Sequence, residues 1–267
     1  GDRHRDIPPS RRLALDDRAD VIADPTHRAV VKHKRFADEL FVVFRKVLGM
    51  FGGGVGHFLN LSGRPERRGR RHGAVGRCGN HALRHTLSSK FVTSYCKSAD
   101  KSGVWAVEVG HGNGLGASSH LVGKSVESDA SILTAARASL KNTKLAVHSI
   151  PGFATINRDL RPAIDIGVDI FRVATHVSEA DVSQKHIEFL ANKGMEVHGV
   201  LMMSHMIDVK GLLEQVSLMR KYGASTVILM DSAGYFIPSD VAERISAIKE
   251  AIEIEVGFHA HNNLGLG

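Results

Sequence analysis

Six short apolar runs, separated by amphipathic stretches, restrict the second part of this chain to repeated β/α units. The runs start 25 to 39 residues apart, which is the length of one strand, loop, helix and loop. They cover residues 105–109, 144–150, 169–174, 197–203, 225–230 and 255–258. Because most of their residues are apolar rather than alternating, we predict parallel strands that are buried on both faces.

The stretches between the runs carry the signals of helices. Apolar residues recur there at helical spacing, as in Leu212, Val216 and Met219, and in Val241, Ile245 and Ile248. A glycine also precedes several predicted strands, where a left-handed residue ends the preceding helix: Gly103, Gly167, Gly194 and Gly223. We predict helix starts at Ser178 and at Ser239.

Repeated β/α units form either an open doubly wound sheet or a closed barrel. The glycine-rich segment 110–116 follows a predicted strand, but the acidic residue that a dinucleotide site requires is not evident further on. The length of 267 residues suits one barrel or two smaller domains and does not decide between them. We therefore predict the α/β class and a (β/α)8 TIM barrel.

The positive charge of the chain is confined to its first part. Residues 1–74 hold 13 Arg and 3 Lys against 9 acidic residues, whereas residues 75–267 hold 19 basic and 19 acidic residues. We divide the chain there into a basic, arginine-rich leader (1–74), poorly structured, and a barrel domain (75–267). Three interpretations of the leader stay open: a solvated segment, a nucleic-acid-binding tail, or a segment foreign to the barrel, joined through an upstream reading-frame error.

Composition excludes some classes of partner and location. Aromatic residues are not interleaved with the arginines of the leader, so we do not expect nucleic acid as a partner. No apolar run approaches the roughly 20 residues of a membrane helix. Two cysteines, Cys78 and Cys96, are too few for a disulfide framework, and no signal-peptide pattern is present. We expect a cytoplasmic protein.

Polar residues at the ends of the predicted strands are the candidates for an active site, which in such barrels lies at the carboxyl ends. His259 and His261 are two residues apart, so both imidazoles face one side of a strand and could hold one divalent ion such as Mn²⁺, Mg²⁺, Co²⁺ or Zn²⁺. Two structural histidines are the open alternative. The isolated histidines, such as His148, His176 and His198, are expected to be structural.

Six motifs connect the chain to a known family. They occur at residues 107–116 (VEVGHGNGLG), 172–176 (RVATH), 179–182 (EADV), 201–205 (LMMSH), 231–234 (DSAG) and 257–264 (GFHAHNNL). In this combination and order the chain resembles the 4-hydroxy-2-oxovalerate aldolases, relatives of the metallolyase TIM barrels that include homocitrate synthase, isopropylmalate synthase and hydroxymethylglutaryl-CoA lyase.

The resemblance implies a lyase that cleaves 4-hydroxy-2-oxovalerate to pyruvate and acetaldehyde by retro-aldol chemistry, in a pathway that degrades aromatic compounds. It implies that His259 and His261 hold a divalent metal, most consistently Mn²⁺, with Mg²⁺ or Co²⁺ as alternatives. Arg77 would stabilise the pyruvate enolate and bind substrate, and His81 would be the general base for the C4 hydroxyl. Ser232 would seat the substrate carboxylate, with His259 as a further substrate contact.

The chain departs from the family's pattern at two places. The first-strand motif Leu-Arg-Asp-Gly reads Gly76, Arg77, Cys78 and Gly79, so Cys78 stands where the family has a metal-binding aspartate. A thiolate is a poor ligand for Mn²⁺ or Mg²⁺. The family's eighth strand and C-terminal helical region are absent, which predicts an incomplete barrel with a degenerate first strand and two unpaired sheet edges, poor in solubility or activity.

Three further inferences depend on this resemblance. An acylating acetaldehyde dehydrogenase is implied as partner, although its docking region belongs to the absent C-terminal part. A related acetyl-CoA-dependent Claisen synthase is the alternative enzyme. An inactive barrel fragment with a nucleic-acid-binding leader is the alternative without catalysis.

Overall fold

The computed structural model describes residues 57–60, 73–75, 85–261 and 263–265. The predictions that concern Arg77, Cys78 and His81 therefore lie outside the described residues. Most of the leader does so as well, and the domain boundary at residue 74 stays a prediction.

Within the described ranges, eight strands form one closed barrel in chain order. They are β1 (His57–Asn60), β2 (Gly73–Val75), β3 (Ala106–Glu108), β4 (Lys144–Ser149), β5 (Ile170–His176), β6 (Glu196–Met202), β7 (Thr226–Asp231) and β8 (Glu255–Ala260). Neighbours from β2 to β8 pair in parallel. Each of the six apolar runs coincides with one of these parallel strands, so the predicted barrel architecture is confirmed.

Although the sheet closes, the set of eight parallel strands is incomplete, as predicted. The described residues provide seven parallel strands. The place between β8 and β2 is taken by β1, which runs antiparallel to both. Phe58 lies opposite Ala74 on one side and opposite His259 on the other. The expectation of two unpaired sheet edges was therefore wrong, since a strand from the arginine-rich leader pairs with both edges.

Six α-helices of the described region connect the strands: α1 (Ser89–Ser102), α2 (Asp129–Ser139), α3 (Arg161–Ile166), α4 (Gln184–Asn192), α5 (Val209–Tyr222) and α6 (Pro238–Ala251). The predicted apolar stripes of α5 and α6 are buried. The four predicted helix-ending glycines all have positive φ, from 73° to 110°. None of the helices described is long and apolar enough to cross a bilayer.

The helix start predicted at Ser239, behind Pro238, agrees with the structure to within one residue, whereas the one predicted at Ser178 does not. A 3-10 turn, Ala180–Ser183, precedes α4, so this helix begins at Gln184 rather than near Ser178. Helix α6 begins at Pro238, whose fixed φ suits a first helical position. The carboxylate of Asp240 accepts a hydrogen bond from the backbone N–H of Ile237 at 3.2 Å, which leaves Ser239 inside the helix.

Two apolar layers hold the barrel together. The larger one lies between the sheet and the helices, and the smaller one fills the barrel interior. The interior layer consists of Ala106, Ala146, Ile170, Ala174, Val200, Ile228 and Met230. The described part of the barrel interior is therefore packed with apolar side chains.

The amino end of the barrel is closed by a polar cluster. Lys144 Nζ lies 2.5 Å from Glu196 Oε2 and 4.9 Å from the centre of the Trp105 ring. His198 Nε2 donates to Glu196 Oε1 at 3.0 Å. These contacts join β3, β4 and β6, which agrees with a structural place for His198 and leaves the carboxyl end as the candidate site.

Candidate active site

Glu108, Arg172 and His259 are polar residues of the described region whose side chains project into the barrel interior at its carboxyl end. Residues two apart on a strand face the same side, so Glu108 and Arg172 share the face of interior residues on their own strands. His259 lies beside Met230, which is also an interior residue. All three side chains are buried.

Glu108 and Arg172 form a buried ion pair between Oε2 and Nη1. Their side chains are 1% and 3% exposed, respectively. A charge removed from water to this degree is stable only with a partner, because either ion alone would cost several kcal/mol. The ion pair therefore stabilises the positive charge of Arg172 in the barrel interior.

Arg172 also contacts the first of the two candidate metal ligands. Its Nη2 lies 3.2 Å from Nδ1 of His259. Arg172 on β5 thus contacts Glu108 on β3 and His259 on β8. It fixes the orientation of the His259 ring from within the barrel.

His261 lies just beyond the end of β8 and is half-buried. Its Nδ1 donates a hydrogen bond to the backbone carbonyl of Asp231 at 2.7 Å. A carbonyl can only accept, so Nδ1 carries a proton. The rings of His259 and His261 have centres 5.0 Å apart and planes inclined by 39°.

This pair of imidazoles fits a divalent cation as part of a larger ligand set. Rings at this separation are close enough to share one ion. The described residues contain no group of three or more His, Cys, Asp or Glu that could hold a metal. The further ligand predicted at Cys78 follows the end of β2 by three residues along the chain, outside the described region.

Ser232, the predicted contact for the substrate carboxylate, directly follows β7. Its Oγ accepts a hydrogen bond from the backbone N–H of Met203 at 3.0 Å. Met203 has a φ of 55°, in the left-handed region that a non-glycine residue rarely adopts. The hydroxyl proton of Ser232 remains able to donate, so this bond is compatible with carboxylate binding.

Asp231 organises the loop after β7. Its two carboxylate oxygens accept the backbone N–H groups of Tyr235 and Phe236, at 3.0 and 2.9 Å. The aspartate is 2% exposed, so these bonds compensate for its burial. The loop that carries Ser232 is thereby held in one conformation.

The glycine-rich segment 110–116 packs on the end of β4. The backbone N–H of Leu115 donates to the carbonyl of His148 at 2.9 Å. A Cβ added to Gly114 would lie 2.6 Å from that same oxygen. Asp129 accepts the N–H of Gly116 at 2.8 Å, and burial raises the pKa of this carboxyl. The segment is thus a tightly packed loop at the carboxyl end of the barrel.

Neither a role for Arg172 nor its pairing with Glu108 was predicted from the sequence. One signal was present: each is a charged residue within a run that is otherwise buried. Charged side chains are almost never fully buried unless they are paired, so two such residues predict an ion pair between their strands.

The family model described as HMGL-like matches residues 75–267. This chain belongs to the HMGL-like family. The match covers all of the parallel strands from β3 to β8, and with them both histidines at the end of β8.

Curated relatives of this HMGL-like chain have a more specific name. This chain is 53% identical over 190 residues to a 4-hydroxy-2-oxovalerate aldolase from Spirochaeta aurantia, and 51% identical over 190 residues to one from Pectobacterium atrosepticum. Each alignment covers 71% of this chain and 56% or 55% of the relative. The predicted resemblance is confirmed, and the chain spans about half the length of the curated relatives it matches.

Solved structures agree on the fold. The N-terminal domain of a proposed aldolase from Bacteroides vulgatus superposes with a TM-score of 0.60 at 25% identity, covering 71% of this chain and 63% of that one. The carboxyl transferase domain of Rhizobium etli pyruvate carboxylase with pyruvate and biocytin gives 0.58 at 17% identity, over 71% and 35%. The second likeness shows the fold alone.

Proposed function

We propose that this HMGL-like chain forms the barrel of a divalent-metal-dependent 4-hydroxy-2-oxovalerate aldolase, a carbon–carbon lyase that releases pyruvate and acetaldehyde. The observation that carries the proposal is the pair His259 and His261, whose rings lie 5.0 Å apart at the carboxyl end of the barrel. The names of the curated relatives support the choice of substrate.

His259 and His261 would hold the metal, together with ligands from outside the described residues. When bound, a divalent cation supplies Lewis-acid polarisation of the 2-oxo group. Mn²⁺ is our first choice and Mg²⁺ or Co²⁺ the alternatives, since all three accept mixed imidazole and oxygen ligands.

The reaction needs one proton transfer before the bond breaks. His81 would remove the proton of the C4 hydroxyl, which allows the C3–C4 bond to break and acetaldehyde to leave. The electron pair of that bond passes to the pyruvate fragment as an enolate. Arg77 would stabilise the enolate charge, while Ser232 would donate its hydroxyl to the substrate carboxylate. Protonation at C3 completes pyruvate.

A coupled assay tests this function. Pyruvate release from 4-hydroxy-2-oxovalerate is followed by NADH oxidation with lactate dehydrogenase, with added MnCl₂ or with a chelator. We expect slow, Mn²⁺-dependent release from the chain and faster release from the Cys78→Asp variant, because a carboxylate suits Mn²⁺ better than a thiolate. Cys96→Ser, which changes the other, buried cysteine, is the matched control and should leave the rate unchanged. Equal rates with and without metal would contradict the proposal.

A partner is also proposed. Acetaldehyde is reactive, and an acylating acetaldehyde dehydrogenase that receives it would be consistent with the family. This partner and the cytoplasmic location both stay predictions.

A further inference from the structure

The two candidate metal ligands are not equivalent in their hydrogen bonding. His261 donates through Nδ1 to a backbone carbonyl. His259 has its Nδ1 3.2 Å from Nη2 of Arg172. The His261 ring is therefore paired with an acceptor, and the His259 ring with a donor.

The pairing with arginine decides where the ring proton of His259 is. A guanidinium carries five N–H donors and no acceptor, and it stays protonated in proteins. Nδ1 of His259 must therefore be the acceptor and cannot carry a proton. In the neutral ring the proton is then on Nε2.

A metal ion needs the lone pair of a ring nitrogen. On His259 the Nδ1 lone pair points to Arg172, and Nε2 carries the proton. A cation can bind at Nδ1 only by displacing Nη2. It can bind at Nε2 only after the ring proton has moved to Nδ1, where it would face another donor.

We infer that Arg172 and the metal ion compete for His259, which makes Arg172 a positioning residue that holds the ring until a cation displaces it. Glu108 keeps its ion pair with Nη1 throughout, so the displaced guanidinium remains paired in the barrel interior. This inference rests on the proposed metal site. It goes beyond that site by giving a role to Arg172 and Glu108.

The test measures binding of Mn²⁺ alone by isothermal titration calorimetry, without substrate. Arg172→Met by itself would leave Glu108 buried without its cation, so the informative protein is the double variant Glu108→Gln, Arg172→Met, in which both charges are removed together. We expect the Kd for Mn²⁺ to fall about tenfold, the worth of one lost hydrogen bond to a charged group. The matched control, Asp169→Asn with Arg137→Met, removes an ion pair on the helical layer and should leave the Kd unchanged.

Three outcomes would overturn the inference. A higher Kd in the double variant would mean that Arg172 supports the metal-bound geometry. An equal Kd would mean that no competition exists, while the metal site itself stands. Failure of both proteins to bind Mn²⁺ would remove the metal site and the competition together.

Nitrogen-15 NMR of ring-labelled histidines gives a readout that does not depend on metal. In the metal-free protein we expect His259 to carry its proton on Nε2, and His261 to carry its proton on Nδ1. His259→Gln assigns the signal. A proton on Nδ1 of His259 would overturn the inference even if Mn²⁺ binds.

Discussion

Nδ1 of His261 lies 2.7 Å from the backbone carbonyl oxygen of Asp231, so one hydrogen bond joins the residue after β8 to the end of β7. This bond fixes both the orientation and the tautomer of the imidazole. A ring held in this way loses little freedom on binding a cation.

The first prediction concerns this ring. Replacing His261 by Ala should raise the Kd for Mn²⁺ by about 100-fold, because a ligand is lost together with its support. His176→Ala is the control, since His176 is also a half-buried histidine at a strand end but bonds to the nearby Ser178 hydroxyl. Calorimetric titration of both variants with MnCl₂ measures the difference. Equal affinities in the two would argue against His261 as a ligand.

A second prediction concerns the glycine-rich loop. Gly114→Ala should lower the free energy of unfolding by about 2–3 kcal/mol, because φ is +91° and the added Cβ would overlap the carbonyl oxygen of His148. Gly103→Ala has a φ of +73° with nothing within 4 Å of its Cβ, so it should cost only about 1 kcal/mol. Urea denaturation of both proteins decides the matter, and similar losses would show that the overlap is relieved elsewhere.

The strained backbone at Met203 gives a third prediction. Valine at this position should cost roughly 2 kcal/mol more than valine at Met202, because β-branched residues tolerate positive φ poorly. Met202 is also half-buried but has strand geometry, which makes Met202→Val the control. Thermal unfolding of the two variants is the measurement. The prediction fails if both variants melt together.

A fourth prediction concerns acid stability. Burial opposes ionisation of Glu196, but hydrogen bonds from His198 and Lys144 and the positive charge of Lys144 outweigh it and lower its pKa from 4.5 to about 2. A lowered pKa stabilises the folded state above the unfolded value, and this contribution disappears as the pH falls from about 4.5 to about 2.

Glu196→Gln should therefore destabilise the protein by about 1–2 kcal/mol at pH 6 and by less than half as much at pH 3. Urea denaturation at the two pH values measures this difference. Glu188→Gln is a suitable control, because Glu188 accepts a single hydrogen bond, from Gln184, on the exposed side of α4. A destabilisation independent of pH would contradict the assigned cause.

The strands were predictable because burial on both faces leaves a local signature, a short run of apolar residues. The same holds for the helix-ending glycines, whose left-handed conformation is a local requirement. The start of α4 was not predicted correctly. A polar residue such as Ser178 can precede either a 3-10 turn or an α-helix, and the sequence does not distinguish the two.

Charged residues in buried runs indicate that an ion pair exists, but the geometry of such contacts depends on the closed barrel. Glu108 and Arg172 are 64 residues apart, and their pairing depends on the stagger between strands. The proximity of His259 and His261 was predictable because it follows from strand geometry alone. The bond between Arg172 and His259 was not, since it joins β5 to β8.

Closure by β1 has a consequence for how the protein reaches its fold. His57 pairs with Ala260, so the contact that closes the barrel joins an early segment of the chain to the last strand, β8. Contacts of such large sequence separation form slowly, because the intervening polypeptide must already be ordered before they repay the entropy of closing the loop. On a translating ribosome this contact cannot form until β8 has emerged, and until then the edge of β1 that pairs with β8 stays open to other chains.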